Sequence, residues 1–195
     1  ALRRQEFEVH YQPIVDIAGE RTVCFEALVR WNHPERGRIA PNHFIPLAEE
    51  TGLIVQLGEW VLRRACMEAA GWSDPVMVAV NLSPIQFKNP NLTAMVMAAL
   101  QASGLSASRL ELEITESVLL QNSEATLETL HELRAQGVRI SLDDFGTGYS
   151  SLSYLRSFPF DKIKIDRSFV QELASREDSM AIVRAVAGLG RSLGI

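Results

Sequence analysis

Five apolar runs in this chain end on a residue that can bind a divalent metal or carry a proton. They are Phe25-Glu26, Val78-Ala79-Val80-Asn81, Leu110-Glu111-Leu112-Glu113, Ile140-Ser141-Leu142-Asp143-Asp144 and Ile163-Lys164-Ile165-Asp166. Runs this short and this rich in β-branched residues read as buried strands. If such strands lie parallel, their C-terminal ends share one rim. Three acids, a fourth beside them, an amide and a lysine then meet in one small polar pocket. Left uncompensated, the carboxylates repel one another and resist burial. Divalent metal, two ions by this reading, is the simplest way to stabilise them.

The segments between these runs support a parallel arrangement. Phe7–Ile17 and Thr22–Trp31 read as two strands about an Ala18-Gly19-Glu20 turn, a candidate hairpin. Residues 44–72 read as mostly helical, with breaks at Gly52 and Gly58. Strands are expected at 76–81, 110–115, 138–143 and 162–166, and helices at 91–103, 123–136, 150–156 and 178–193. From the third strand onward, strand and helix alternate at a spacing of roughly 25–30 residues, the rhythm of βα units. Polar strand ends then suit a barrel whose reactive rim is its C-terminal face. The fold expected is α/β, a TIM-like (β/α) barrel. Six strands are found where a closed barrel has eight, and Ile195 falls where a seventh would begin.

Composition narrows the function. The 195 residues are 47% hydrophobic, enough for one sizeable core. No apolar run approaches ~18 residues, so no membrane-spanning helix is expected. No secretory signal stands at the start, and Cys24 and Cys66 lack metal-type spacing. Both cysteines read as packing residues of a protein from a reducing, cytoplasmic compartment. The net charge is −5 with no block of Lys or Arg, which argues against polymeric nucleic acid as a partner. A small phosphate ligand, bridged to acids by metal, fits this charge.

Each candidate residue has a bland reading beside the chemical one. Asp143-Asp144 precedes Phe145-Gly146-Thr147-Gly148-Tyr149-Ser150-Ser151; adjacent acids can bridge two cations, and the glycines let the loop wrap a site. The same residues could make a plain turn and a helix cap. Glu113 and Glu111 share one strand face. That face could be solvated, but in a barrel it points into the lumen, and Glu113 lies nearer the rim. Glu116 could simply favour a helix N-terminus. Asn81 offers a neutral oxygen suited to Mg²⁺ or Mn²⁺, or a cap before Ser83-Pro84. Glu26 is costly inside its apolar run unless satisfied. Lys164 can pair with acids or hold a water for attack, and Arg30 could contact a phosphate or base. His10, His33, His43 and His131 show no ligand spacing.

These positions carry a family resemblance. Glu26-Ala27-Leu28-Val29-Arg30-Trp31 resembles the signature of EAL-domain cyclic-di-GMP phosphodiesterases. The likeness continues through Tyr11-Gln12-Pro13-Ile14-Val15, Asn81-Leu82-Ser83, Glu113-Ile114-Thr115-Glu116-Ser117, residues 143–152 and Lys162-Ile163-Lys164-Ile165-Asp166. It implies a barrel whose first strand is antiparallel, and hydrolysis of cyclic-di-GMP to linear pGpG with Mg²⁺ or Mn²⁺. Glu26, Asn81, Glu113 and Asp143 would hold one ion, and Asp143 with Asp144 the second. Lys164 would orient or deprotonate the attacking water. Gln12, Leu28 and Arg30 would contact substrate, and Glu116 would anchor the loop at 146–151. A homodimer and flanking sensory or diguanylate-cyclase-like domains are further family expectations. So is another strand after Ile195, bearing a glutamate for the second metal. Residues 1–195 are therefore expected to be one such domain, incomplete at its C-terminus and weakly active as it stands.

Two other functions stay in view. A non-catalytic cyclic-di-GMP receptor is disfavoured because every signature residue present is of the catalytic type. Barrels of the enolase type also place acids and lysines at strand ends, but lack the two signature runs.

Overall fold

The computed structural model describes residues 1–120, 124–146, 158, 160–171, 173 and 176–195. The chain opens with an antiparallel ribbon, β1 (Phe7–Asp16) on β2 (Arg21–His33). A short β3 (Gly37–Ile39) folds back on the far end of β2. Helices α1 (Pro41–Glu50) and α2 (Ile54–Ala70) lead to β4 (Met77–Leu82). Then follow α3 (Leu92–Ser103), β5 (Leu110–Thr115), α4 (Glu116–Leu120), α5 (Glu124–Ala135) and β6 (Arg139–Phe145). β7 (Lys162–Ile165), α6 (Arg167–Gln171) and α7 (Glu177–Leu193) complete the described elements.

The sheet runs β1-β2-β4-β5-β6-β7, and every neighbouring pair from β2 to β7 is parallel. This is the TIM-like arrangement expected, with its antiparallel first strand. Among the described residues the sheet does not close, because β1 and β7 are not paired. It is nevertheless strongly curled. β7 lies four strand spacings from β2, about 19 Å in a flat sheet. Yet Lys164 Nζ on β7 stands 3.3 Å from Glu26 Oε2 on β2. Only a sheet rolled toward a barrel lets those two side chains touch.

The helices seal the outer face. α2 buries Leu57, Val61, Leu62, Ala65, Cys66 and Ala69, a stripe at helical spacing that packs against β4 and α3. A side chain such as Leu62, with no exposed surface, contributes about 1.5–3 kcal/mol of burial. Both cysteines are free and buried, as packing residues should be, and burial pushes each thiol up to about 12. No helix among the described residues is long and apolar enough to cross a membrane.

Several boundaries differ from the sequence reading. The helix expected from residue 44 begins at Pro41, whose fixed φ suits a first helical turn. Gly52 does separate the two helices, at φ +72°. Gly58 does not break anything: it lies buried inside α2. β3 and α4 went unforeseen because three and five residues carry too little periodicity to register. β6 runs two residues past Asp143, and its register against β7 slips between Leu142 and Phe145. The helix expected at 150–156 lies outside the described residues.

Gly58 has a tertiary reason. A Cβ there would sit 2.3 Å from Nε2 of Gln86, which is 1% exposed. Gln86 cannot step aside freely, because its Oε1 accepts the Ser83 N–H at 3.0 Å in a capping box. Gly58→Ala should therefore destabilise the fold by about 1–3 kcal/mol through overpacking. That outweighs the roughly 1 kcal/mol that Ala gains in helix propensity. Gly188→Ala, with open space around it in α7, should instead stabilise by up to about 1 kcal/mol. Urea denaturation of the two variants checks the contrast in sign.

Candidate metal centre

Parallel pairing brings the strand ends level. Glu26 on β2 stands opposite Ala79 on β4, Asn81 on β4 opposite Glu113 on β5, and Thr115 on β5 opposite Asp143 on β6. Strand alternation turns these polar side chains into the lumen while their apolar neighbours face the helices. Glu26, Glu113 and Asp143 each offer an oxygen to one cluster, all within 4.8 Å of one another.

Lys164 sits in the middle. Its Nζ donates to Glu113 Oε2 at 2.7 Å, Asp143 Oδ2 at 2.9 Å and Glu26 Oε2 at 3.3 Å. Asn81 Nδ2 donates to Glu26 Oε1 at 3.0 Å, which leaves its carbonyl oxygen as the atom able to face a cation. Three carboxylates thus share one ammonium. Burial opposes the charge on Lys164, but Glu113, Asp143 and Glu26 outweigh it and hold its pKa above the usual lysine value. Glu113, whose side chain is 0% exposed, is pushed up to about 8. Burial is the main cause; Lys164 opposes it, and the charges of Glu26 and Asp143 add to it.

The donors suit a hard divalent ion. They are all oxygens, the set that Mg²⁺ and Mn²⁺ take. Among the described residues Glu113 Oε1 is buried with no hydrogen-bond partner, a cost that a cation would remove. Glu26, Asn81, Glu113 and Asp143 together could hold one such ion.

Asp144 differs from its neighbour. It is not among the clustered carboxylates, and it adopts the left-handed region at φ 53°, rare outside glycine. Its N–H donates to Asp143 Oδ1 at 2.9 Å. Burial, then the charges of Asp143 and Asp166, raise its pKa. A second ion would have to draw on Asp143 and Asp144 together, whose side chains stand close enough to feel each other's charge.

The remaining candidates spread around this centre. Leu28 and Arg30 line a cavity of about 380 Å³ together with Asn81, Ser83 and Glu49. Gln12 lies opposite Glu26 in the ribbon but does not line that cavity. Glu116 Oε1 accepts the Gly146 N–H at 2.7 Å, so it holds the first residue of the 146–151 loop. Gly146 needs to be glycine: its φ is +103°, and a Cβ would meet the Phe169 ring at 2.9 Å. The rest of that loop is outside the described residues.

Two features escaped the sequence reading. Glu111, set aside there in favour of Glu113, is fully buried and held at both oxygens by Lys162 Nζ, at 2.6 and 2.8 Å. The signal was present, since Glu111 and Glu113 share the two-residue step of Lys162 and Lys164. Ser83 Oγ donates to Glu49 Oε1 at 2.6 Å, tying α1 to the segment after Asn81. No local pattern announces that bond.

An acidic, oxygen-lined centre at the strand ends of a curled parallel sheet defines the class. The chain matches the EAL domain family over residues 1–195 and belongs to it. It is 60% identical over 195 residues to "Uncharacterized protein y4lL" of Sinorhizobium fredii, covering 100% of this chain and 24% of that protein. It is 48% identical over 199 residues to "Bifunctional diguanylate cyclase/cyclic di-GMP phosphodiesterase MucR" of Pseudomonas aeruginosa, covering 100% of this chain and 29% of that protein. A solved structure, "PaMucR Phosphodiesterase, c-di-GMP complex", superposes with a TM-score of 0.94 at 48% identity, covering 100% of this chain and 81% of that one. The chain spans less than a third of the length of either curated relative.

The elevated pKa of Glu113 sets a sign for pH dependence. A metal must displace its proton, so affinity should rise with pH up to about 8 and level off above. In the metal-free protein the same group makes folding less favourable as pH rises from 4.5 to about 8. Added Mn²⁺ should therefore raise the melting temperature much more at about pH 8.5 than at about pH 6. Paired thermal melts with and without Mn²⁺ check this.

Proposed function

We propose that this domain hydrolyses cyclic-di-GMP to linear pGpG with Mg²⁺ or Mn²⁺, most simply two ions. The observation that carries the proposal is the gathering of Glu26, Glu113 and Asp143 around one small volume beside a cavity lined by Leu28 and Arg30. Relatives and a solved structure named as cyclic-di-GMP phosphodiesterases support the substrate. Bound divalent metal would polarise the phosphodiester and acidify the attacking water.

The chain's own residues divide the remaining work. Glu26, Asn81, Glu113 and Asp143 would hold one ion, and Asp143 with Asp144 the second. Arg30 would pair with a phosphate oxygen through its fork of N–H donors, while Leu28 and Gln12 flank the substrate. Lys164, whose acid neighbours hold its pKa above the usual lysine value here, would orient or deprotonate the attacking water. Glu116, through Gly146, would fix the base of the loop beside the mouth.

The test is turnover by the protein that carries this chain. Glu26→Ala or Asp143→Ala should reduce hydrolysis to background by removing a metal ligand. Lys164→Ala should lower kcat by roughly 100-fold or more. It should bind Mn²⁺ at least as tightly as the parent, because a competing cation has gone. Turnover near the parent rate in Asp143→Ala would show that the site is misassigned. Binding of cyclic-di-GMP without cleavage at saturating Mn²⁺ would make the domain a receptor instead.

A further inference from the structure

The lumen holds two tiers of charge built on the same plan. In the upper tier Lys164 of β7 reaches across β6 to Glu113 of β5. One pleat lower, Lys162 of β7 reaches across β6 to Glu111 of β5. What differs is the residue between: Asp143 above, Ser141 below, with Ser141 paired in register to both Glu113 and Lys162. On β2 the upper tier has Glu26 where the lower has Cys24. The lower tier is therefore neutral, and the upper has three acids around one lysine.

Glu111 is the hazard in this plan. It is 1% exposed, so as a lone carboxylate it would need a cation or a proton. Lys164 lies two residues along the same strand as Lys162, about 6.6 Å away, on a flexible four-carbon stem. A divalent ion at the mouth would repel Lys164 from the acids that hold it in this structure. An unpaired Glu111 would then be its nearest alternative.

We propose that Lys162 is a positioning residue. By holding both oxygens of Glu111, it keeps that carboxylate from drawing Lys164 down the lumen, so Lys164 stays at the mouth when metal is bound. The turnover consequence rests on the phosphodiesterase reading; the placement of Lys164 does not.

The decisive variant is Lys162→Met in the protein that carries this chain. A crystal structure with Mn²⁺ bound should show Lys164 Nζ moved onto Glu111. Mn²⁺ affinity, measured by calorimetry, should rise by about tenfold as the acids lose their ammonium. For cyclic-di-GMP hydrolysis, kcat should fall on the order of 100-fold with KM nearly unchanged. Adding Glu111→Gln should return Lys164, Mn²⁺ affinity and kcat to within about threefold of the parent. Lys162→Arg, which keeps a bidentate grip, should match the parent throughout. Lys164 still at the mouth in Mn²⁺-loaded Lys162→Met, or a double variant as slow as the single, overturns the proposal. Should Lys162→Met fail to fold, the double variant decides alone: parent-like values support the proposal and a large loss overturns it. If the parent itself cleaves no cyclic-di-GMP, the phosphodiesterase reading falls, while the structural and Mn²⁺ measurements still decide this one.

Discussion

One ammonium among three carboxylates organises this molecule. Lys164 of β7 contacts acids from β2, β5 and β6, and a flat sheet would hold β2 far from β7. The contact is possible only because the sheet is rolled, and the rolled lumen is what makes the acids dense. Two charges at 4 Å interact by about 4 kcal/mol at an effective dielectric of 20, which is of the order of the desolvation penalty per buried ion. One lysine therefore cannot comfortably neutralise one buried and two half-buried acids. Packing of α2 and the strand cores has to offset the remainder, and the excess negative charge is what suits the mouth to divalent metal.

Several local rules that proteins usually obey are broken around the mouth of the lumen. Asp144 has a positive φ, Gly146 lies against the Phe169 ring, and Glu113 leaves an oxygen buried without a partner among the described residues. All three belong to the β5–β6 end of the mouth. One pleat lower, Glu111 is paired at both oxygens, while Ser141 Oγ is buried with no hydrogen-bond partner among the described residues. Departures of this kind concentrate where structure is shaped for function rather than for stability.

Legibility in the sequence followed the range of the interaction. Asp143 and Asn81 could be read because each ends an apolar run, and Glu26 because an acid inside such a run demands a reason. Gly52 could be read as a break because its cause is its own backbone angle. Gly58 could not, since its cause is Gln86, 28 positions away by the numbering. The bond between Ser83 and Glu49 was invisible for the same reason. Glu111 was half legible: its lumen face followed from alternation, but its pairing with Lys162 needed the offset between β5 and β7.

By itself the sequence determined the order of the elements, the parallel sheet and the side of each strand that carries charge. Those follow from a two-residue repeat and from short connections, which are properties of neighbouring residues. Tertiary structure alone decided which carboxylates share a cation, which glutamate is neutralised by which lysine, and why one helical glycine must stay bare. Those depend on twist accumulated over five strands, and accumulated twist converts small local angles into distances that no segment of the chain encodes separately.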